Sequence, residues 1–414
     1  MGNIINKPKL RFPEFTESWA LKELGDLLVF KNGINASREQ YGKGVKFINV
    51  LDILNNDFIT YDKIIGSVDV EEKILKNYPV KYGDILFQRS SETREEVGTA
   101  CVYLDKKHTA TFGGFVIRGE KIGIYDPLFL NMLLKTNAAR DAITSQSGGS
   151  TRYNVGQGIL TSINLFYPEL SEQQKIGLVF STIDEKLQIL KKKKSLLEQY
   201  KKGVMQQLFS QELRFKDEDG NDFSDWKEKK LGDVAKLQGG YAFKSELFHT
   251  DGIPIIRISN ISNNDNYINL DNVVFYDEIP NADNFTIKKG DLIVAMSGAT
   301  TGKSSIFNLS YNAYLNQRVG LFRSKTDKLY YDYLIQFVFS ESFKEQLISV
   351  LVAGAQPNVS SSDIESFDFP FPSIPEQTKI ATFLTSLDSK IAQTSLQIEK
   401  MQLWKKGLLQ QMFV

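Results

Sequence analysis

Cysteine is nearly missing. Cys101 is the only one in 414 residues, so no disulfide can form within the chain, and a reducing compartment is expected. Histidine is scarce too: His108 and His249 stand far apart, without a cysteine at zinc spacing. Charge breaks every apolar run well short of the roughly 20 residues a membrane helix needs, and Met1–Arg11 holds no apolar signal core. A cytoplasmic protein with no membrane partner is expected. Net charge is also absent, because 50 Lys and Arg balance 50 Asp and Glu. A protein that binds nucleic acid alone usually carries a basic excess. Any basic surface here must be local, or a partner must complete it. What the chain does have is length, more than one ordinary core requires, which indicates two or three domains.

It also has an internal repeat. Trp19–Asp26 and Trp226–Asp233 both read W-x-x-x-x-L-G-D, 207 positions apart. Lys81-Tyr82-Gly83-Asp84-Ile85-Leu86 matches Lys288-Lys289-Gly290-Asp291-Leu292-Ile293 at the same offset. The offset then becomes 204, pairing Gly98 with Gly302, Asn154-Val155 with Asn358-Val359, Glu172-Gln173 with Glu376-Gln377, and Lys201-Lys202-Gly203 with Lys405-Lys406-Gly407. The first half therefore carries three extra residues near 91–97.

Each half opens with a mixed region in which β-rich runs alternate with Gly, Asn and Asp turns. Val45–Val50, Ile85–Phe87 and Phe115–Ile117 are such runs in the first half, and Ile253–Ile258, Leu292–Ala295 and Val319–Phe322 in the second. A helical piece follows, Pro127–Ser145 and then Tyr330–Leu351. Each half closes on one long helix of about 38 residues, or about 57 Å. Ser171-Glu172-Gln173-Gln174 and Pro375-Glu376-Gln377-Thr378 read as helix starts. Apolar residues then step by four and three from Ile176 to Leu208 and from Ile380 to Met412, as in a helix–helix seam. Lys194, Lys201, Thr394 and Lys405 interrupt the seam, with lysine stems expected to cover it while their ammonium groups reach water. Two copies of one unit tend to pair through a pseudo-two-fold axis, which would make the helices antiparallel. The expected fold is α+β: two β-rich domains (1–170 and 213–370) separated by two long antiparallel coiled-coil helices (171–212 and 371–414).

This order, with the doubled W-x-x-x-x-L-G-D and K-x-G-D motifs, closely resembles the specificity subunits of Type I restriction-modification enzymes over nearly the whole chain. Pro168–Ile176, Pro372–Ile380 and Gly354-Ala355-Gln356-Pro357-Asn358-Val359 carry the resemblance further. The first half departs from it, reading Ser150-Thr151-Arg152-Tyr153-Asn154-Val155. The resemblance implies that each domain reads half of a bipartite site in double-stranded DNA. It implies helices that set the unread spacer and dock two methyltransferase subunits, with restriction (motor-nuclease) subunits joining them. S-adenosylmethionine, ATP and magnesium would belong to those partners, leaving this chain no cofactor and no catalytic residue.

The sequence agrees on chemistry. The [ND]-P-P-[YFW] loop of adenine methyltransferases does not occur. Gly298-Ala299-Thr300-Thr301-Gly302-Lys303-Ser304 looks like a phosphate-binding loop but has three residues between its glycines where four are needed. Its surroundings read as strand-turn-strand. Glu71-Glu72-Lys73 and Glu228-Lys229-Lys230 match a nuclease-like E-x-K string that so charged a chain produces by chance. A protein-binding adaptor with two heads is the rival reading, favoured by the zero net charge.

A shared scaffold reading two half-sites should differ at its readers. At the 204 offset Asn316-Gln317-Arg318 falls opposite Phe112-Gly113-Gly114, with Phe115 against Val319. Arg suits guanine, and Asn or Gln suits adenine. The stretch 286–328 carries seven basic residues against two acidic ones. In the first half Gln88, Arg89, Ser90 and Arg94 are the candidates, with Ser297, Thr300, Thr301 and Lys303 as second-half counterparts. Arg89 and Arg94 have two readings, DNA contact or ion pairs with Glu92, Glu95 or Glu96. Arg152, Gln356 and Asn358 lie in the loops before the helices, where backbone or base contact and packing are equally open.

Overall fold

The computed structural model describes residues 7–149, 151–261, 266–353 and 358–414. The chain forms two compact units, one of residues 1–191 with 396–414, the other of residues 192–395.

In the first unit the central sheet runs in the order Leu28–Asn32, Val116–Lys121, Ile85–Gln88, Ala100–Val102, antiparallel throughout. Ile85–Gln88 is buried along its length because both faces of the sheet are covered. Alternate side chains therefore enter different cores. Ile85 and Phe87 pack with Trp19, Phe129 and Phe180, whereas Leu86 packs with Ile48, Ile59 and Phe112. A smaller sheet, Ser67–Val68, Tyr41–Ile48, Thr111–Phe112, covers the second face. The strand pair Ala20–Glu23 with Asn164–Tyr167 closes the domain.

The second unit repeats this plan. Its central sheet is Ala235–Gly239, Val319–Ser324, Leu292–Ala295, Ser304–Ile306. Leu292 and Val294 enter one core, Ile293 and Ala295 the other. Lys227–Lys230 with Asp368–Phe371 forms the closing pair.

The repeated K-x-G-D motif is the turn into the central strand. Asp84 and Asp291 accept the Lys81 and Lys288 backbone N–H at 2.9 and 2.8 Å. Gly83 and Gly290 hold φ of +93° and +94°, which only glycine adopts without strain. The helical piece of each half is two helices rather than one, Pro127–Leu133 then Asn137–Ser145, and Tyr331–Val338 then Glu341–Ala353. The breaks fall where Thr136 and Ser340 turn their hydroxyls onto backbone groups: each accepts the N–H three residues ahead and donates to the carbonyl three residues behind.

The long helices are Leu170–Phe209 and Ile374–Met412. Each contributes to both units. In the first, Ile176 and Phe180 share the core with Met412 and Phe413. In the second, Val204 and Leu208 share it with Ile380 and Leu384. Two of the three seam lysines, Lys201 and Lys405, do not reach for water as expected, whereas Lys194 stays partly exposed beside Glu198 of its own helix. Within the first unit Lys405 Nζ donates to Asp184 at 2.5 Å, and within the second Lys201 Nζ donates to Asp388 at 2.6 Å. A carboxylate facing each ammonium across the seam neutralises it where it lies.

Candidate nucleic-acid interface

Three segments far apart in sequence meet at one edge of each domain. In the first, the Val155 N–H donates to the Arg89 carbonyl at 3.0 Å, and the Arg89 N–H donates to the Phe115 carbonyl at 2.9 Å. In the second, the Val359 N–H donates to Met296, and the Met296 N–H to Arg318, both at 2.9 Å. The end of the central strand, the turn before its neighbour and the loop before the domain-closing elements are thus stitched identically in both copies. Loops fixed on a rigid sheet are where binding residues belong.

This stitching corrects the repeat register. Leu28 pairs with Lys121 and Ala235 with Ser324; Ile34 bridges Gly113 and Tyr241 bridges Asn316. Across this strand the offset is 203, not 204. Asn316, Gln317 and Arg318 therefore correspond to Gly113, Gly114 and Phe115, and Val319 to Val116. One residue lost between the two central-sheet strands, invisible among common dipeptides, produces the slip.

The proposed contact residues fare unequally. Gln317 and Arg318 are exposed and Asn316 is half-buried, its Oδ1 accepting the Arg318 N–H. Arg89 is exposed, with Nη1 directed to the Gly114 carbonyl at 3.4 Å. Gln88 is buried and not available as a contact residue. It is 4 % exposed, and its Nε2 donates to the Ser90 carbonyl at 3.0 Å. Ser90 Oγ donates to Asn154 at 2.5 Å. Arg94 is exposed and is not ion-paired with Glu92, Glu95 or Glu96; its guanidinium donates to the Thr144 and Ser145 carbonyls at a helix C-terminus.

The Gly298–Lys303 stretch is the turn of a hairpin between Leu292–Ala295 and Ser304–Ile306, as expected for strand-turn-strand. Thr300 Oγ1 donates to the Ile258 carbonyl at 3.1 Å and Thr301 Oγ1 to Gly298 at 2.6 Å, so both hydroxyls shape the loop. Ser297 is half-buried; Lys303, Arg152 and Asn358 are exposed. Gln356 lies outside the described residues. The basic stretch is partly engaged: Arg323 pairs with Asp291 at 3.0 Å and Lys325 Nζ donates to the Gly232 carbonyl at 2.5 Å. Lys288, Lys289, Lys303 and Arg318 are solvent-exposed, whatever else they touch.

Sequence reasoning missed an arginine in each unit. Arg11 donates from Nε and Nη2 to both oxygens of Glu172 at 2.7 Å, and Arg214 does the same to Glu376 at 3.1 and 2.9 Å. The signal was Leu10-Arg11-Phe12 against Leu213-Arg214-Phe215, upstream of where the repeat was first seen. The neighbouring glutamines anchor the helix starts. Gln173 accepts the Asp126 N–H and donates to Pro168; Gln377 accepts the Tyr330 N–H and donates to Pro372. The doubled Glu-Gln motif is thus a structural joint between domain and helix.

Comparison with known proteins bears on what the doubled edge does. A family model described as Type I restriction modification DNA specificity domain matches residues 16–199 and again 223–401. The chain belongs to this family. The specificity-domain matches fall one on each repeat. Among curated relatives, the Type I restriction enzyme MjaVIII specificity subunit of Methanocaldococcus jannaschii is 28 % identical over 299 residues, covering 70 % of each chain. The putative MjaX specificity subunit of the same organism is 24 % identical over 98 % of this chain and 95 % of its own. The fold is that of the Type I restriction-modification S subunit from M. genitalium, with a TM-score of 0.61 and 16 % identity over 99 % of both chains. No helix among the described residues is long and apolar enough to cross a membrane.

Proposed function

We infer that this chain is the DNA specificity subunit of a Type I restriction-modification system, with one recognition domain in each repeat. The observation that carries the inference is the doubling itself: two matches to a DNA specificity domain, each with the same three-segment edge bearing different side chains. Residues 1–170 and 213–370 are the readers, and 171–212 and 371–414 the struts that set the unread spacer. The struts pair antiparallel about a pseudo-two-fold axis. Support comes from the two seam ion pairs. Lys201 and Lys405 are repeat equivalents, as are Asp184 and Asp388, and each lysine meets the other copy's aspartate. Reciprocal exchange of this kind is what a two-fold operator generates.

Two methyltransferase subunits dock on the struts. Tyr200 and Trp404 occupy one repeat position and are both 53 % exposed, an arrangement suited to two copies of one partner. The chemistry resides in the partners: methyltransferases using S-adenosylmethionine, and restriction subunits using ATP and magnesium. This chain is non-catalytic and supplies address only. Sequencing methylated adenines in cells that express the chain with its methyltransferase tests the reading. A two-part motif with a fixed unread gap is expected; methylation without such a motif, or none that depends on this chain, would refute it.

A further inference from the structure

The corrected register gives the two reading turns opposite chemistry. In the second domain the turn carries three polar side chains, Asn316, Gln317 and Arg318. In the first it reads Gly113-Gly114-Phe115, so Phe115 is the only side chain the turn presents. Phe115 is 66 % exposed, which is unusual for phenylalanine on a sheet-anchored turn. Phe115 lines an open concavity of about 210 Å³ with Tyr41, Asn49, Leu51 and Gly114. Leu51 is 66 % exposed and Tyr41 46 %, so the rim is apolar over several residues. Asn49 opens a short helix in the first domain, and Arg257 opens the equivalent turn in the second. At this place too the second copy carries a cation where the first copy is neutral.

We propose that Phe115 is a specificity-determining residue, reading the C5-methyl edge of a thymine in the half-site addressed by the first domain. The proposal rests on the DNA-reading function above. Of the groups displayed in the major groove, only thymine offers an apolar one, and Phe is among the side chains that contact it. Arg318, at the same place in the other domain, suits the O6 and N7 acceptors of guanine. The Phe115 carbonyl is fixed by the Arg89 N–H, and the exposed Arg89 guanidinium beside the turn is placed for the phosphate backbone, which positions without specifying. Phe115 with Leu51 and Tyr41 then forms an apolar socket at a base edge, while Arg89 supplies charge next to it.

The test uses the assembled complex of chain and methyltransferase. Methylated-adenine sequencing first compares the wild type with Phe115→Ala and Phe115→Leu. The alanine variant should lose discrimination at one position of one half-site, with the other half-site and the gap unchanged, and the leucine variant should keep it. Duplexes carrying deoxyuridine in place of thymine at that position are then bound by the wild type. Removing one methyl group should weaken binding about fourfold. Phe115→Ala should bind both duplexes alike, at the weaker level. Equal wild-type binding to thymine and deoxyuridine at every first-half-site position would overturn the proposal even if a variant failed to fold. Uniform weakening of Phe115→Ala on all sequences would overturn it as well. Absence of any two-part motif from the wild type would instead defeat the specificity-subunit reading.

Discussion

Arg11 grips Glu172 through two parallel hydrogen bonds of 2.7 Å, and the carboxylate it holds is wholly buried. Glu172 stands in the first turn of the long helix, where the helix dipole also favours an anion. The pair ties the segment before the first strand, Ala20–Glu23, to the helix leaving the domain. Arg11→Ala would strand a buried carboxylate, and losing one partner of a buried pair costs about 3–5 kcal/mol. The planar fork is not replaced by an ammonium, so Arg11→Lys should recover only part of the loss. Calorimetry of the full chain should show a lowered transition in both variants, the alanine one lower. A change within about 0.5 kcal/mol, the range of ordinary surface substitutions, would show that the pair is not needed.

Cys101 makes a prediction about pH. It lies on a central-sheet strand, fully buried, and burial pushes its thiol up to about 11. The folded thiol thus titrates above an unfolded one. Its stabilising contribution is complete below about pH 8.5 and disappears as pH rises toward 11. Native protein at pH 8 should resist thiol reagents, reacting only as fast as it opens. Cys101→Ala should flatten the alkaline fall in stability. Rapid labelling of native protein would contradict the burial.

Much of this architecture is legible in sequence because it is written twice. Trp19–Asp26 and the K-x-G-D turns repeat because each copy needs the same buried leucine, or the same aspartate accepting the same backbone N–H. The long helices are legible because Ile176 to Leu208 and Ile380 to Met412 step with the helical period. The register of the 113–115 turn is not, since a one-residue slip between Val102 and Val116 leaves no mark in composition and only strand pairing in both repeats reveals it. Gln88 misled for a related reason. A glutamine beside Arg89 reads as a surface pair, yet Gln88 is the last residue of a strand buried on both faces, while Arg89 lies just past its end.

Arg318 and Gln88 offer a contrast within one experiment. Arg318→Ala should relax one position of the second half-site, at about 1–3 kcal/mol of discrimination. Gln88→Ala removes a buried side chain bonded to Ser90, so it should lower stability while leaving the methylated motif unaltered. Sequencing methylated adenines with each variant separates the two. Uniform loss across sequences for Arg318→Ala would mark a phosphate contact.

The spacer prediction depends on the seam ion pairs. Lys405 meets Asp184 and Lys201 meets Asp388. Deleting seven residues from one strut alone would throw one of these pairs out of register, leaving a buried or half-buried aspartate without its cation. Deletion of 187–193 together with its repeat equivalent 391–397 keeps both pairs, because each deletion lies between the aspartate and the lysine of its own helix. Seven residues preserve the heptad phase and shorten each strut by about 10 Å. At 3.4 Å per base pair, the unread gap should shrink by about three base pairs while both half-site sequences persist. The single deletion should instead lower stability without giving a defined new gap. The motif recovered from methylated DNA decides it: an altered half-site with an unaltered gap would mean that the struts do not measure distance.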